Sequence, residues 1–259
     1  MEKPDLKKFL IKHSFVLEDR KLLSCVYMEN LKQQAGIAAA NLVQNGMGVG
    51  LGTGSTVFFA LEKLAERQKT EKLKFFGVST SFSTTLLCRK IGIELKDSGS
   101  ISHLDLAIDG TDEIDPNLNL IKGRGAAHLL EKIVASLADK FVIVADSGKQ
   151  VKNLGEKFPL PLEILPAALG LVEARIKSLG GTLEVRIAGA CKDGPTISDS
   201  GNLIADAKFG LIKEPAILCK ELDSIPGLVG HGLFAGLAKE AFIAGEAGVT
   251  LLSPFKCFH

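Results

Sequence analysis

Four short runs in the first 145 residues are apolar along almost their whole length: 47–51, 75–79, 104–108 and 141–145. Strands that do not alternate apolar and polar residues must be covered on both faces. Such strands belong in a parallel sheet with helices on either side. The intervening segments supply those helices. Leu31, Ala35, Ala38, Ala39 and Leu42 fall at i, i+4, i+7, i+8 and i+11, one face of an α-helix that Asn45-Gly46 would end. A second helix starts at the GTGST turn after residue 51 and carries Val57, Ala60, Leu61 and Leu64 on one face. Further helices are predicted around 85–91 and 127–138.

The pattern changes at Pro159, Pro161 and Pro166. From there the spacing predicts a strand at 162–165, a helix at 167–179 ended by Gly180-Gly181, and a strand at 182–187. Segments 196–198 and 203–207 flank the hairpin signal Asp199-Ser200-Gly201-Asn202. A helix at 214–222 and a strand within 227–234 follow. The order is close to β-α-β-β-α-β, the ferredoxin-like arrangement. The last apolar run, 248–252, returns to the first sheet, so the smaller unit reads as an insertion. No internal repeat or flexible linker is evident.

Composition closes off several classes. Thirty-one basic residues against 30 acidic ones leave a net charge of +1, so no basic field argues for nucleic acid. The five cysteines (Cys25, Cys88, Cys191, Cys219 and Cys257) are scattered and form no C-x-x-C pair. A disulfide framework or zinc site is not expected, and a reducing cytoplasm fits. No apolar run approaches the ~18 residues of a membrane span. Lys12 and His13 interrupt Phe9-Leu10-Ile11, and the early acids Glu2, Asp5, Glu18 and Asp19 argue against a targeting peptide.

Four segments carry chemistry. The first, GVGLGTGST at 48–56, is a glycine-rich turn from a strand into a helix N-terminus. Backbone N–H groups and the helix dipole point at one spot, and the hydroxyls of Thr53, Ser55 and Thr56 add donors, so an anion such as phosphate is expected there. No Gly-Lys-Ser/Thr follows, and the third glycine of a dinucleotide fingerprint is missing. The second, DGTDEID at 109–115, crowds four carboxylates past a strand end, where open α/β sheets place ligands. Close carboxylates shift one another's pKa and suit proton transfer. Glu113 and Asp115 read as solvated turn residues. The third is Lys122-Gly123-Arg124-Gly125, ahead of a helix holding Glu131 about two turns in. Taken alone, a helical glutamate beside Lys132 reads as a surface residue. The fourth is ADSGK at 145–149, where Lys149 is placed to meet a phosphate.

Together these segments resemble ribose-5-phosphate isomerases of the A type, from about residue 31 to 254. GLGTGST, AIDGTDEID, IKGRGAAHLLEKIVA, KFVIVADSGKQV, FPLPLEILP, DSGNLIAD and SIPGLVGHGLF carry the resemblance by their order and spacing. It implies an α/β fold: a Rossmann-like parallel-sheet domain over 29–157 and 235–254, an inserted ferredoxin-like α+β lid domain over 158–234, and an N-terminal extension over 1–28. It implies interconversion of D-ribose 5-phosphate and D-ribulose 5-phosphate through an enediol(ate), in the non-oxidative pentose phosphate pathway. No metal or organic cofactor is implied, and the assembly would be a homodimer or homotetramer.

Carried over by motif, Glu131 would be the general base between C1 and C2, and Lys122 would stabilise the enediolate oxygen. Asp109 and Asp112 would hold sugar hydroxyls and relay protons. Lys32, Thr53, Gly54, Ser55, Thr56, Gly110, Thr111, Gly123, Arg124, Gly125 and Lys149 would line the substrate site, several of them at the phosphate. This sequence departs from the family at Arg124, where glycine is common, at Thr111, commonly alanine, at Leu130, often arginine, and in the earlier serine of ADSGK. None of these changes removes a catalytic residue. The rival readings are a non-catalytic sugar-phosphate-sensing domain of the same fold type and a methyltransferase-like protein using GLGTGST. The second leaves the Asp109–Asp112 and Lys122–Glu131 pairings without a purpose.

Overall fold

A computed structural model of the chain describes residues 18–190 and 192–254. The elements run in the order α1 (Glu18–Ala40), β1 (Gly48–Leu51), α2 (Ser55–Thr70), β2 (Phe76–Ser79), α3 (Phe82–Ile91), β3 (Leu104–Asp109), β4 (Glu113–Ile114), β5 (Leu120–Ile121), α4 (His128–Leu137) and β6 (Ala138–Asp146). After them come β7 (Leu160–Ile164), α5 (Leu169–Ser178), β8 (Thr182–Val185), β9 (Leu203–Lys208), α6 (Pro215–Asp223), β10 (Leu228–His231), β11 (Leu233–Phe234), β12 (Glu240–Gly245) and β13 (Gly248–Leu252).

The main sheet has the order β13-β12-β6-β3-β1-β2. Its five strands from β2 to β12 are mutually parallel, and β13 turns back antiparallel at the edge. Two apolar clusters cover it. One packs Leu31, Ala35 and Ala39 of α1 and Leu61 and Leu64 of α2 against Val49, Ile108 and Val142. The other packs Val134 and Ala135 of α4 with Phe141, Ile143 and Phe234. Each fully buried Leu, Ile or Phe side chain contributes roughly 1.5–3 kcal/mol, which is what holds the helices on a sheet with few polar faces. β1 connects to β2 on one side and β3 lies on the other. The strand order therefore reverses between β1 and β3, and a crevice opens at their carboxyl ends.

The second sheet, β10-β7-β9-β8, is antiparallel and has its own core of Leu162, Ile164, Val172, Ile176, Ala205 and Leu222. With α5 and α6 it occupies the chain between β6 and β12. The two-residue strands β4, β5 and β11 form a third sheet that joins the units.

Several boundaries differ from the sequence reading. The described part of α1 runs from Glu18, inside the segment read as an extension, and the helix ends at Ala40 rather than at Asn45-Gly46. Residues 1–17 and the tail 255–259 lie outside the described residues. The run 227–234 is two strands in two sheets, divided at Gly232, where a Cβ would collide with the Lys122 carbonyl. Residues 196–198 contribute only an isolated bridge between Ile197 and Leu203. The strand β12 has no counterpart in the sequence reading. It fills the place between β6 and β13, so 248–252 reaches the main sheet only as the second arm of a hairpin.

Candidate active site

The carboxyl ends of β1, β3 and β6 deliver three of the four segments to one cleft, and the loop from β5 into α4 delivers the other. The cleft has a volume of about 680 Å³. Its lining includes Lys32, Thr53, Gly54, Ser55, Thr56, Gly110, Thr111, Asp112, Lys122, Gly123, Arg124, Gly125, Glu131 and Lys149. Asp109 lies just beneath this lining, buried behind Lys122.

The floor is a cluster of three charges. Lys122 Nζ is 3.0 Å from Asp109 Oδ2 and 3.2 Å from Glu131 Oε2, and it donates to the Gly110 carbonyl at 2.6 Å. Asp109 Oδ1 accepts from the N–H groups of Gly110 and Thr53 at 2.7 and 3.1 Å. That seat needs Gly52, because a Cβ there would overlap the Asp109 carboxylate. Asp109 Oδ2 and Glu131 Oε2 have no hydrogen-bond partner of good geometry; Lys122 balances them as a charge. Glu131 sits in the first turn of α4, nearer the helix start than its sequence position suggests, and it is buried.

Burial dominates the electrostatics. Desolvation, reinforced by the Asp109 charge and opposed by Lys122, pushes the Glu131 carboxyl up to about 8. Asp109 is also raised by burial, with Lys122 and two backbone N–H groups opposing. Burial alone would lower the Lys122 ammonium; Asp109 and Glu131 outweigh it and hold the group charged. A base whose pKa is raised to the neutral range, beside a fixed cation, is equipped to take a proton from carbon and to stabilise the oxyanion left behind.

The glycine-rich turn leads directly into α2. Gly54 has φ 131°, a conformation open to glycine, and the helix has no side-chain cap and no acidic residue in its first turn. The first N–H groups of α2 are therefore left without an intrahelical or side-chain partner at the cleft wall, an arrangement suited to an anion. The Thr53 hydroxyl does not join them. It is turned into a cluster with Thr80, Ser81 and Thr84 at 2.9, 2.7 and 3.0 Å, and the Thr53 N–H is taken by Asp109 Oδ1. Asp112 accepts from the Arg124 N–H at 2.9 Å, and the Thr111 hydroxyl bonds the carbonyls of Glu113 and Ile121.

Glu113 and Asp115 are not solvated turn residues. Glu113 is fully buried, and its carboxylate accepts the N–H groups of Gly155, Lys157 and Phe158 at 2.6, 2.5 and 2.7 Å. Asp115 is buried in its own turn, holding Asn117 and Asn119. Sequence reasoning misses Met28, Asp146, Lys157 and Phe158, which also line the cleft. The Phe158 ring lies 5.5 Å from the Arg124 guanidinium carbon and 5.2 Å from Lys149 Nζ. The one available signal for that segment is its place next to Pro159, at the join of the two units. Among the described residues, no group of three His, Cys, Asp or Glu is arranged to hold a metal ion, and no helix is long and apolar enough to cross a membrane.

Comparison with known proteins agrees with this geometry. The family profile of ribose 5-phosphate isomerase A (phosphoriboisomerase A) matches residues 76–248. Ribose-5-phosphate isomerase A of Thermosynechococcus vestitus is 48% identical over 220 residues, covering 85% of this chain and 92% of the relative. The solved structure of ribose 5-phosphate isomerase A from Methanocaldococcus jannaschii superposes with a TM-score of 0.83 at 39% identity, covering 87% of this chain and 99% of that one. A D-ribose-5-phosphate isomerase solved in complex with phospho-erythronic acid gives 0.84 at 38% identity, with the same coverage.

Proposed function

The chain belongs to the ribose 5-phosphate isomerase A family and is an aldose–ketose isomerase of that sugar phosphate; from this premise we propose how its residues divide the work. The 5-phosphate sits at the N-terminus of α2, on the N–H groups of Gly54, Ser55 and Thr56, with Lys149 and Lys32 supplying charge. The sugar chain then runs inward toward the buried floor. Glu131 removes the proton from C2 of the open-chain aldose. The electron pair moves to form the enediolate, and Lys122 stabilises the negative charge on the C1 oxygen. The proton of the C2 hydroxyl passes to the C1 oxygen, with Asp112 orienting the hydroxyls from the cleft wall and Asp109, buried behind Lys122 and so out of reach of the sugar, holding the cation in place. Glu131 returns its proton to C1, giving the ketose. The chemistry asks for one base and one cation, and Lys122 supplies the charge without a metal or organic cofactor.

The observation that carries this reading is the buried Asp109–Lys122–Glu131 cluster at 3.0 and 3.2 Å beneath a cleft with an uncapped helix N-terminus in its wall. The smaller unit, of ferredoxin-like order, acts as a lid on the Rossmann-like unit. A homodimer or homotetramer in a cytoplasmic setting fits the family. The test is ketose formation from ribose 5-phosphate by the parent and by Lys122→Met. Near-parental turnover in Lys122→Met would overturn the assignment of the cation.

A further inference from the structure

We propose that Arg186, from the inserted unit, is a positioning residue for isomerisation: it clamps the loop 122–125 from outside and sets Lys122 over the reacting carbons. Its Nη1 donates to the carbonyls of both Gly123 and Arg124, each at 3.0 Å. Asp206 on the neighbouring strand β9 holds the other side of the guanidinium, accepting from Nε at 2.9 Å and Nη2 at 2.5 Å. Arg186 is itself fixed, since its N–H donates to the Ile204 carbonyl at 2.9 Å and its carbonyl accepts from Thr196 at 2.7 Å. A planar fork that meets a carboxylate on one edge and two carbonyls on the other is something arginine provides and lysine does not.

The loop needs holding. Gly123 has φ 106° and Ala126, a non-glycine residue, has φ 61°. Conformations of that kind persist where surroundings enforce them. The loop begins at Lys122 and leads into the helix turn carrying Glu131, and its Arg124 N–H is bonded to Asp112. The clamp thus lies one residue from the catalytic cation without touching the cleft floor. Among the other polar contacts between the inserted unit and the Rossmann-like unit, Asp199 Oδ2 accepts the Phe82 N–H at 2.8 Å. That contact involves no residue of the loop 122–125 and serves as a control. The inference rests on the proposed role of Lys122.

The experiment is steady-state kinetics on Arg186→Ala, Arg186→Lys, Asp199→Ala and Lys122→Met, with and without dilute guanidinium. A small misplacement of catalytic groups costs about a hundredfold, so kcat of Arg186→Ala should fall roughly 10- to 100-fold. KM should change less than about threefold, because the phosphate site is untouched. Added guanidinium should restore part of that kcat and none in Lys122→Met. Arg186→Lys should recover little, and Asp199→Ala should keep the parental kcat. A kcat within about threefold of the parent in Arg186→Ala, or in Arg186→Lys if the alanine variant does not fold, overturns the clamp. So does an equal loss in Asp199→Ala, or a loss in Arg186→Ala that guanidinium leaves unchanged. If Lys122→Met itself keeps full turnover, the role of Lys122 fails instead.

Discussion

Lys122 Nζ lies 3.2 Å from Glu131 Oε2, yet Glu131 keeps its proton to far higher pH than an ordinary glutamate. An ammonium at that distance favours the carboxylate. Here desolvation wins because both side chains are almost wholly buried, and Asp109 competes for the same ammonium at 3.0 Å. One cation shared between two buried acids leaves the second acid poised near neutrality. In the proposed mechanism, substrate binding need not create a base; it meets one already tuned.

The first expected outcome is a pH profile. Glu131 must be unprotonated to act, so kcat/KM should rise with pH along a limb centred near the Glu131 value of about 8. Initial rates of ketose formation across neutral pH would show it. A limb lying in the ordinary carboxylate range would mean that another group is the base.

Stability should run the opposite way. The folded-state pKa of Glu131 is raised from 4.5 to about 8, so the folded protein binds more protons than the unfolded chain between those values. Its contribution is present below the unfolded pKa and is lost as pH rises through the folded one. Glu131→Gln cannot ionise and escapes that loss. Thermal melts of the ligand-free protein should show the variant gaining on the parent as pH rises from about 5 to about 9. A gap between the two that stays constant over that range would contradict a raised Glu131.

At the mouth of the cleft, Thr56→Ala and Lys149→Ala should weaken sugar-phosphate binding. A lost charge-assisted contact is worth roughly 1.5–3 kcal/mol, so KM should rise roughly 10- to 100-fold with kcat little changed. Inhibition by a sugar-acid phosphate should weaken in parallel. A defect confined to kcat would move these residues from phosphate binding to lid closure.

Much of the site is legible in the sequence because it is built from local signals. GLGTGST and DGTDEID each couple a strand end to a turn, and the parallel pattern of the strands brings those turns together. Lys122 and Glu131 are readable only by motif, since a glutamate next to a lysine on a helix carries no mark of burial. What stays hidden depends on partners far along the chain. Glu113 looks like one more acid in a cluster, but its three N–H donors are 42–45 residues away. The β12 strand, EAFIAG, is easily passed over because 227–234 already reads as the last strand of its region. The split of that run at Gly232 comes from a close approach to the Lys122 backbone, which no periodicity encodes.

Glu113 anchors the segment 155–158, which brings Lys157 and Phe158 to the cleft. Glu113→Ala would leave three N–H groups without their acceptor in a buried site. Each such loss costs about 1–3 kcal/mol, so the variant should lose roughly 3 kcal/mol or more of unfolding free energy by denaturant titration. The segment 155–158 should become open to proteolysis, and KM for ribose 5-phosphate should rise as the Phe158 side of the cleft loosens. Parental stability in Glu113→Ala would show that water replaces the carboxylate at little cost.

The division of labour between Glu131 and Asp109 can be tested by exchange rather than by rate alone. Glu131→Gln keeps the side chain's size and its ability to hydrogen-bond the sugar, but the amide cannot accept a proton from carbon. A positioned general base contributes ~10²–10⁴-fold, so kcat should fall by at least about a hundredfold while substrate still binds. In deuterated solvent the variant should fail to exchange the C2 proton of ribose 5-phosphate, followed by NMR, because proton removal from carbon is the step it lacks. Asp109→Asn should be milder, and its exchange should persist. Asp109 shapes the charge on Lys122 from behind, and in Asp109→Asn the amide oxygen could still accept from the N–H groups of Thr53 and Gly110. Losing the Asp109 charge should also lower the Glu131 pKa, since that charge is the second-largest cause of its elevation. The acid limb of kcat/KM should therefore move to lower pH in Asp109→Asn. If instead Glu131→Gln turns over and exchanges normally while Asp109→Asn abolishes both, the base is Asp109 and Glu131 is the residue that tunes it.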